Sequence, residues 1–548
     1  MRVPPPFLAA GLLLPAALLA QSPAGPHQAT TQAMPQAKHP AAIQEAPLRA
    51  HLAFLADDLL EGRGTGQRGA ELTVRYLETQ LKALGLRPAK GDSYRQPVSL
   101  LGLRTLTGRS TLSFMGGGAC ATPAFGTDIV YGAGLDRAEQ AFDAPVVFVG
   151  YGISSALDRW DDYKGLDVKG KVLLMLVNEP APTAEEPHLF DGPDLSYQGR
   201  WTYKFEEAAR HGALGVLLVH TTPTASYGWP VVRNGWDAER FQLARGPLGT
   251  PLQGWVTEDL ARALAKQGGQ ELDALRAQAQ RRDFRPVALD LRLKGTLHSA
   301  VRTVTQFNVA GVVPGTDPAL KAETVIYSAH WDHLGRGTSA DTHPGHDDIY
   351  NGAVDNASGC AALLAMAQTA LHAPAKRSQM FLFVCGEEQG LLGSKAYAAD
   401  PLWPLAKTAA DLNLDSLNFV APTRDIGLPF ANRSTLGDLG VAVAKASGLT
   451  VAPPRPDLGG GYFRSDHFSF VQAGVPALSV GGGRDYLGAD PAALKAKAAA
   501  YGKRYHQVTD EYDPTWDLRG MVQQTQFTFD LGQAVANAPT KPSFKSAR

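Results

Sequence analysis

From about Thr303 onward the chain repeats one pattern: a short apolar run, a polar loop, then an amphipathic helix. Thr324 to Ala329 is a β-branched run, and Met380-Phe381-Leu382-Phe383-Val384-Cys385 is apolar at every position. A run without alternation fits a strand buried on both faces. Leu412 to Leu414 ends another strand, and Val475-Pro476-Ala477-Leu478-Ser479 reads as an edge strand because its proline cannot donate to a ladder. Between the first two runs, residues 357–371 place Leu363, Leu364, Ala367 and Leu371 on one helical face. Repeated strand–helix units predict an α/β fold: a mostly parallel, mixed sheet with helices on both faces. Such a sheet gathers functional side chains just past the carboxyl ends of its strands.

The chain has 548 residues, too many for one ordinary core. Residues 1–20 read as a signal peptide: Arg2, an apolar run from Phe7 to Leu19, and Ala20 before a polar segment. Residues 21–46, rich in Pro, Gln, Ala and His, are expected to be a disordered leader, and 541–548 a disordered tail. The mature protein is therefore expected to be secreted or periplasmic, with no membrane insertion after signal removal. Between a first part of the main domain (47–121) and its continuation (294–540), residues 122–293 have their own strand-like runs, such as Val172 to Val177. They read as an inserted β-rich module. Residues 67–84 predict a helix with Ala70, Val74, Leu77 and Leu81 on one face, and Gly85 ending it. The preceding Gly64-Thr65-Gly66-Gln67-Arg68-Gly69 fits a dinucleotide fingerprint in spelling only. No strand precedes it, so it is a helix-entry turn. A net charge of −1 argues against a nucleic-acid partner bound through bulk charge. Three cysteines form neither a disulfide framework nor a C-x-x-C zinc pattern, so any zinc must use His and carboxylates.

Polar clusters fall where the sheet argument requires them. His330-Trp331-Asp332 follows the first strand, Asp355-Asn356 lies in a glycine-flanked loop before a helix, and Gly386-Glu387-Glu388 follows Cys385. Asn413-Leu414-Asp415 ends the next strand, and Tyr505-His506 comes later with Asp510 and Asp513. His330, His506, Asp355, Glu388 and Asp415 supply two imidazoles and three carboxylates. If Asp355 bridges, two Zn2+ ions each receive one His and one further carboxylate, with room for a shared water. The dications then outweigh the carboxylates by about one charge, which favours deprotonating that water for metal-assisted hydrolysis. A non-ligand carboxylate must take the proton, and Glu387 is the candidate. Asp332 could accept the remaining N–H of His330 and fix its orientation.

The motifs Tyr327-Ser328-Ala329-His330-Trp331-Asp332-His333-Leu334-Gly335, Asn351-Gly352-Ala353-Val354-Asp355-Asn356-Ala357-Ser358-Gly359, Gly386-Glu387-Glu388-Gln389-Gly390-Leu391-Leu392-Gly393-Ser394 and Arg504-Tyr505-His506 resemble the secreted zinc aminopeptidases. That family includes leucyl aminopeptidase, glutamate carboxypeptidase, glutaminyl cyclase and transferrin receptor. The likeness spans nearly all of 48–536, and the insert resembles a protease-associated (PA) domain. The resemblance implies one zinc on His330, Asp355 and Asp415 and another on Asp355, Glu388 and His506. It further implies Glu387 as general base, Tyr505 as donor to the tetrahedral intermediate, and a cis peptide bond between Asp355 and Asn356. It also implies peptide substrates cleaved at the N-terminal residue.

Other residues receive plainer readings. His333, His343 and His346 are expected in a polar loop. Ser465-Asp466-His467 cannot form a triad, since consecutive residues lack the mutual geometry; the resemblance puts them on the pocket wall. Asp510 and Asp513 either orient His506 or are solvated. A carboxypeptidase needs a basic pocket, for which Arg455, Arg464 and Arg484 lie in the right region. A glutaminyl cyclase works with one zinc, and a receptor-like binding protein would have lost ligands that are present here.

Overall fold

The computed structural model describes residues 42–246, 249–337 and 347–545. The signal-peptide segment and most of the leader, with His343 and His346, lie outside the described residues. The fold opens with α1 (Glu45–Leu55) and α2 (Arg68–Leu84), then β1 (Arg95–Thr105). The insert contributes β2 (Ile129–Gly132), β3 (Glu139–Phe148), β4 (Val172–Leu176), α3 (Trp201–Arg210), β5 (Gly215–His220) and β6 (Leu252–Thr257). The main domain resumes with β7 (Val287–Val313), β8 (Thr324–His330), α4 (Ser358–His372), β9 (Ser378–Val384), β10 (Thr408–Asn413), β11 (Ala477–Ser479) and α5 (Arg519–Asn537).

The sheet runs β11-β10-β8-β9-β7 and continues through β3-β4-β5-β6-β2. β11, β10, β8 and β9 are mutually parallel; β7 is antiparallel to β9, β1 and β3. β7 has 27 residues and serves both halves: its first part pairs with β3 and its last five residues with β9. β11 ends the sheet, as its proline-led sequence required. Alternation sorts each buried strand between two cores. Tyr327, Phe381 and Phe383 face the core shared with α1, α2, α4 and α5, whereas Ile326, Met380 and Leu382 face a second core with Tyr397 and Phe470.

Three expectations are corrected. The insert is not simply β-rich: β3, β4, β5 and β6 are parallel, and α3 crosses from β4 to β5. Its sheet has a core on each face, one around Leu174 and Leu217, the other around Leu173 and Leu218. The leader does not extend to residue 46, because Ile43 is buried and α1 begins at Glu45. The tail is held through residue 545, where Lys545 pairs with Asp438 at 2.6 Å and Ser543 N–H donates to Thr435 at 2.9 Å. Local apolar content does not reveal these polar tethers.

The parallel register delivers the site. His330 aligns with Val384, so β8 and β9 end level, and Ser328 aligns with Asn413, so β10 ends two residues earlier and Asp415 follows it. Leu363 on α4 is fully buried in the larger core. Leu363→Ala is expected to cost about 2–5 kcal/mol of unfolding free energy. Chemical denaturation monitored by circular dichroism measures it.

Candidate metal centre

Each ligand candidate comes from a different chain turn at the sheet's carboxyl edge. His330 is the last residue of β8, while Glu387 and Glu388 follow β9 and Asp415 follows β10. Asp355 sits in the irregular turn 353–357 that enters α4, where the Asp355–Asn356 peptide is cis, as expected. The turn is held by three groups. Asp510 accepts from the Val354 and Asp355 amides at 3.2 and 3.1 Å, Ser358 Oγ donates to Val354 O at 2.7 Å, and Asn356 Nδ2 donates to Leu414 O at 2.9 Å. The last bond ties the turn to the loop of Asp415.

The Asp355 carboxylate faces two ways. Its Oδ1 lies 3.2 Å from His330 Nε2, which is 3.5 Å from Asp415 Oδ1. Its Oδ2 lies 3.3 Å from His506 Nε2, which is 3.1 Å from Glu388 Oε2. The Nε2 atoms of His330 and His506 are buried without hydrogen-bond partners. Orphaned imidazole nitrogens aimed at carboxylates form the donor set of a metal site. His330, Asp355 and Asp415 lie close enough to hold one cation.

The electrostatics separate the carboxylates into two kinds. Although burial opposes it, the imidazoles of His330 and His506 hold Asp355 well below the usual carboxylate range, and His506 and His333 hold Glu388 at about 2. Burial, reinforced by Glu388, Asp415 and Asp466, pushes Glu387 well above that range. Glu387 Oε2 is 4.0 Å from His330 Nε2. Burial also raises Asp332 to about 7. Opposing their own burial, nearby carboxylates raise His330 well above the usual imidazole value and His506 to about 10.

Asp332 acts differently from the expectation. His330 Nδ1 meets the Asp332 backbone carbonyl at 3.1 Å, while the Asp332 carboxylate accepts the Glu387 amide at 3.1 Å. Its side chain therefore holds the Glu387 main chain, and its own main chain orients the His330 ring. Tyr505 is partly exposed, with its ring stacked on His506 at 3.9 Å. Although the residue as a whole is exposed, its hydroxyl end is set among the site's acids, where desolvation, then Asp355, Glu388, Glu387 and Asp415, raise its pKa well above the usual value. Ser465 Oγ donates to Asp415 Oδ2 at 2.9 Å, so it steadies a ligand instead of acting as a nucleophile. Asp510 proves to hold the Asp355 turn, and Asp513 caps Thr515 at the surface.

His333 was missed. It is buried, and its Nδ1 lies 2.7 Å from Glu388 Oε1. The only local hint was its spacing three residues after His330. A cavity of about 170 Å³ opens beside these loops, lined by Val354, Ser416, Leu417, Phe419 and Tyr501 among others.

Fold and site together are those of an α/β domain with a candidate metal centre at the carboxyl edge of its sheet. Residues 308–529 match the family model described as Peptidase family M28. A 180-residue stretch is 29% identical to "Leucine aminopeptidase 1" of Arthroderma gypseum and 28% identical to that of Trichophyton rubrum. The match covers 32% of this chain and 47% of each relative, so the chain spans about half the length of these proteins. The fold is similar to that of an aminopeptidase from Aneurinibacillus sp. strain AM-1, with TM-score 0.54, 19% identity, and coverage of 92% of this chain and 97% of that one. Among the described residues no helix is long and apolar enough to cross a membrane.

Metal binding must expel the proton that His506 carries below about pH 10. Affinity for Zn2+ is therefore expected to rise with pH between about 6 and 9. Chelator competition at stepped pH measures it, and a flat profile would contradict the protonated imidazole.

Proposed function

We propose that the protein is an exported two-zinc aminopeptidase that hydrolyses the N-terminal residue of peptides. The observation carrying this reading is the divided Asp355 carboxylate, each oxygen facing one imidazole and one further carboxylate. His330, Asp355 and Asp415 would hold one zinc, and Asp355, Glu388 and His506 the other. Zinc bound there supplies Lewis-acid activation of water and of the scissile carbonyl. Glu387, 4.0 Å from His330 Nε2 and outside the proposed ligand set, takes a proton from the attacking water as a carboxylate and returns it to the leaving amine. Asp332 holds the Glu387 main chain during both transfers. Tyr505, kept neutral, donates to the developing oxyanion. The cavity beside Val354 and Ser416 takes the side chain of the residue being removed.

The insert serves as a PA-like domain that restricts access to the site. Support comes from its docking: Leu195 N–H donates to Asp457 O at 2.9 Å, and Tyr197 packs against Phe463 and Phe468, next to Ser465. The carboxypeptidase reading lacks a basic group lining the cavity beside the site. Arg464 is engaged by Ser226 and Gly459, while Arg455 and Arg484 line a different cavity.

Amino-acid amides with a free amine are expected to be cleaved and their acetylated counterparts spared, as chromatography of the products would show; the reverse preference would refute an aminopeptidase. Glu387→Gln is expected to lower kcat by roughly 10²–10⁴-fold while leaving zinc stoichiometry unchanged. Steady-state kinetics beside elemental analysis read both.

A further inference from the structure

The glycine-rich turn before α2 has no part in the chemistry above, yet it grips the loops that carry two of the ligands. Arg63 lies in it and is 1% exposed. Its guanidinium donates to four main-chain carbonyls: Nε to Trp331 O at 2.8 Å, Nη1 to Leu55 O and Asn351 O at 2.5 Å each, and Nη2 to Gly352 O at 2.9 Å. Trp331 directly follows His330, and Gly352 stands three residues before Asp355. The surrounding turn is equally close. A β-carbon at Gly62, whose φ is +65°, would lie 2.6 Å from both Gly335 O and Tyr350 O. Asn351 Nδ2 also donates to Asp58 Oδ1 at 2.7 Å.

We propose that Arg63 is a positioning residue of the metal centre: its guanidinium ties the loop after His330 to the loop before Asp355 and so sets the spacing of those two ligands. This rests on the metal-centre reading above. A buried guanidinium is costly, and here carbonyls, not a carboxylate, satisfy it. Its planar fork is what allows one side chain to reach three separate chain segments. A lysine ammonium is a single point on a flexible stem and cannot span them in the same way. The cation also stands behind Asp355, Asp332 and Asp510, whose charges favour it.

The test compares full-length Arg63→Lys and Arg63→Gln with Arg377→Lys. Arg377 is as buried as Arg63, but it donates to Val535 O and Ala538 O and pairs with Glu323, away from the ligands. Zinc affinity is read by chelator competition, and amide hydrogen exchange is read on the metal-free proteins. Both Arg63 variants are expected to bind zinc roughly 10–100-fold more weakly, with Lys the milder. Exchange should quicken together in the loops around Trp331 and Asn351. Arg377→Lys should keep wild-type zinc affinity. Folded Arg63 variants with wild-type affinity and exchange would overturn the proposal. So would metal-free variants that are both unfolded, since the residue would then serve the fold as a whole. If the wild type itself bound no zinc, the functional reading would fail, while joint loosening of the two loops would still establish the tether.

Discussion

The structure depends on accommodating many buried carboxylates at one edge of a sheet. Asp332, Asp355, Asp466 and Asp510 are buried, and Glu387 and Glu388 have little exposed side chain. Such a group cannot ionise together without positive charge nearby. The protein divides them. Asp355 and Glu388, next to imidazoles, are held ionised and suit cations. Burial, with neighbouring acids adding to it, pushes Glu387, Asp332 and Asp466 up, Glu387 well above the usual carboxylate range, Asp332 to about 7 and Asp466 to about 6. Burial and neighbours thus give chemically alike carboxyl groups different charge states.

The scaffold meets this demand with two kinds of support. Parallel strands in matched register bring His330, the Glu387-Glu388 pair and Asp415 to one level. Asp355 is not on a strand; its turn is set by the local side chains of Asn356 and Ser358 and by Asp510 and, one loop back, Arg63 from distant segments. Hydrogen bonds to main-chain groups suit this task, because they fix the path of a loop without adding competitors for the metal.

Much of this was legible beforehand. The runs at 324–329 and 380–385 declared buried strands by lacking alternation, and the helices at 68–84 and 358–372 declared themselves by period and by the stop at Gly85. The ligand candidates were legible because strand ends concentrate function, and the cis bond because the motif was recognised. The role of Asp332 was read in reverse because its spacing from His330 does not say whether carboxylate or carbonyl faces the ring. His333 looked like one more loop histidine. Its contact with Glu388 joins residues 55 positions apart. The insert looked β-rich because its apolar runs, such as Val172 to Val177, are more conspicuous in the sequence than its helices.

The sequence by itself determined the class of fold, the order of the elements and the residue types available for metals and proton transfer. Those follow from local periodicity and from the chemistry of side chains. Only the tertiary structure decided which carboxylates stay charged, which oxygen of Asp355 faces which imidazole, and that Arg63 and Asp510 hold the loops. Those outcomes depend on burial and on partners remote in the chain, and no local pattern of residues encodes either.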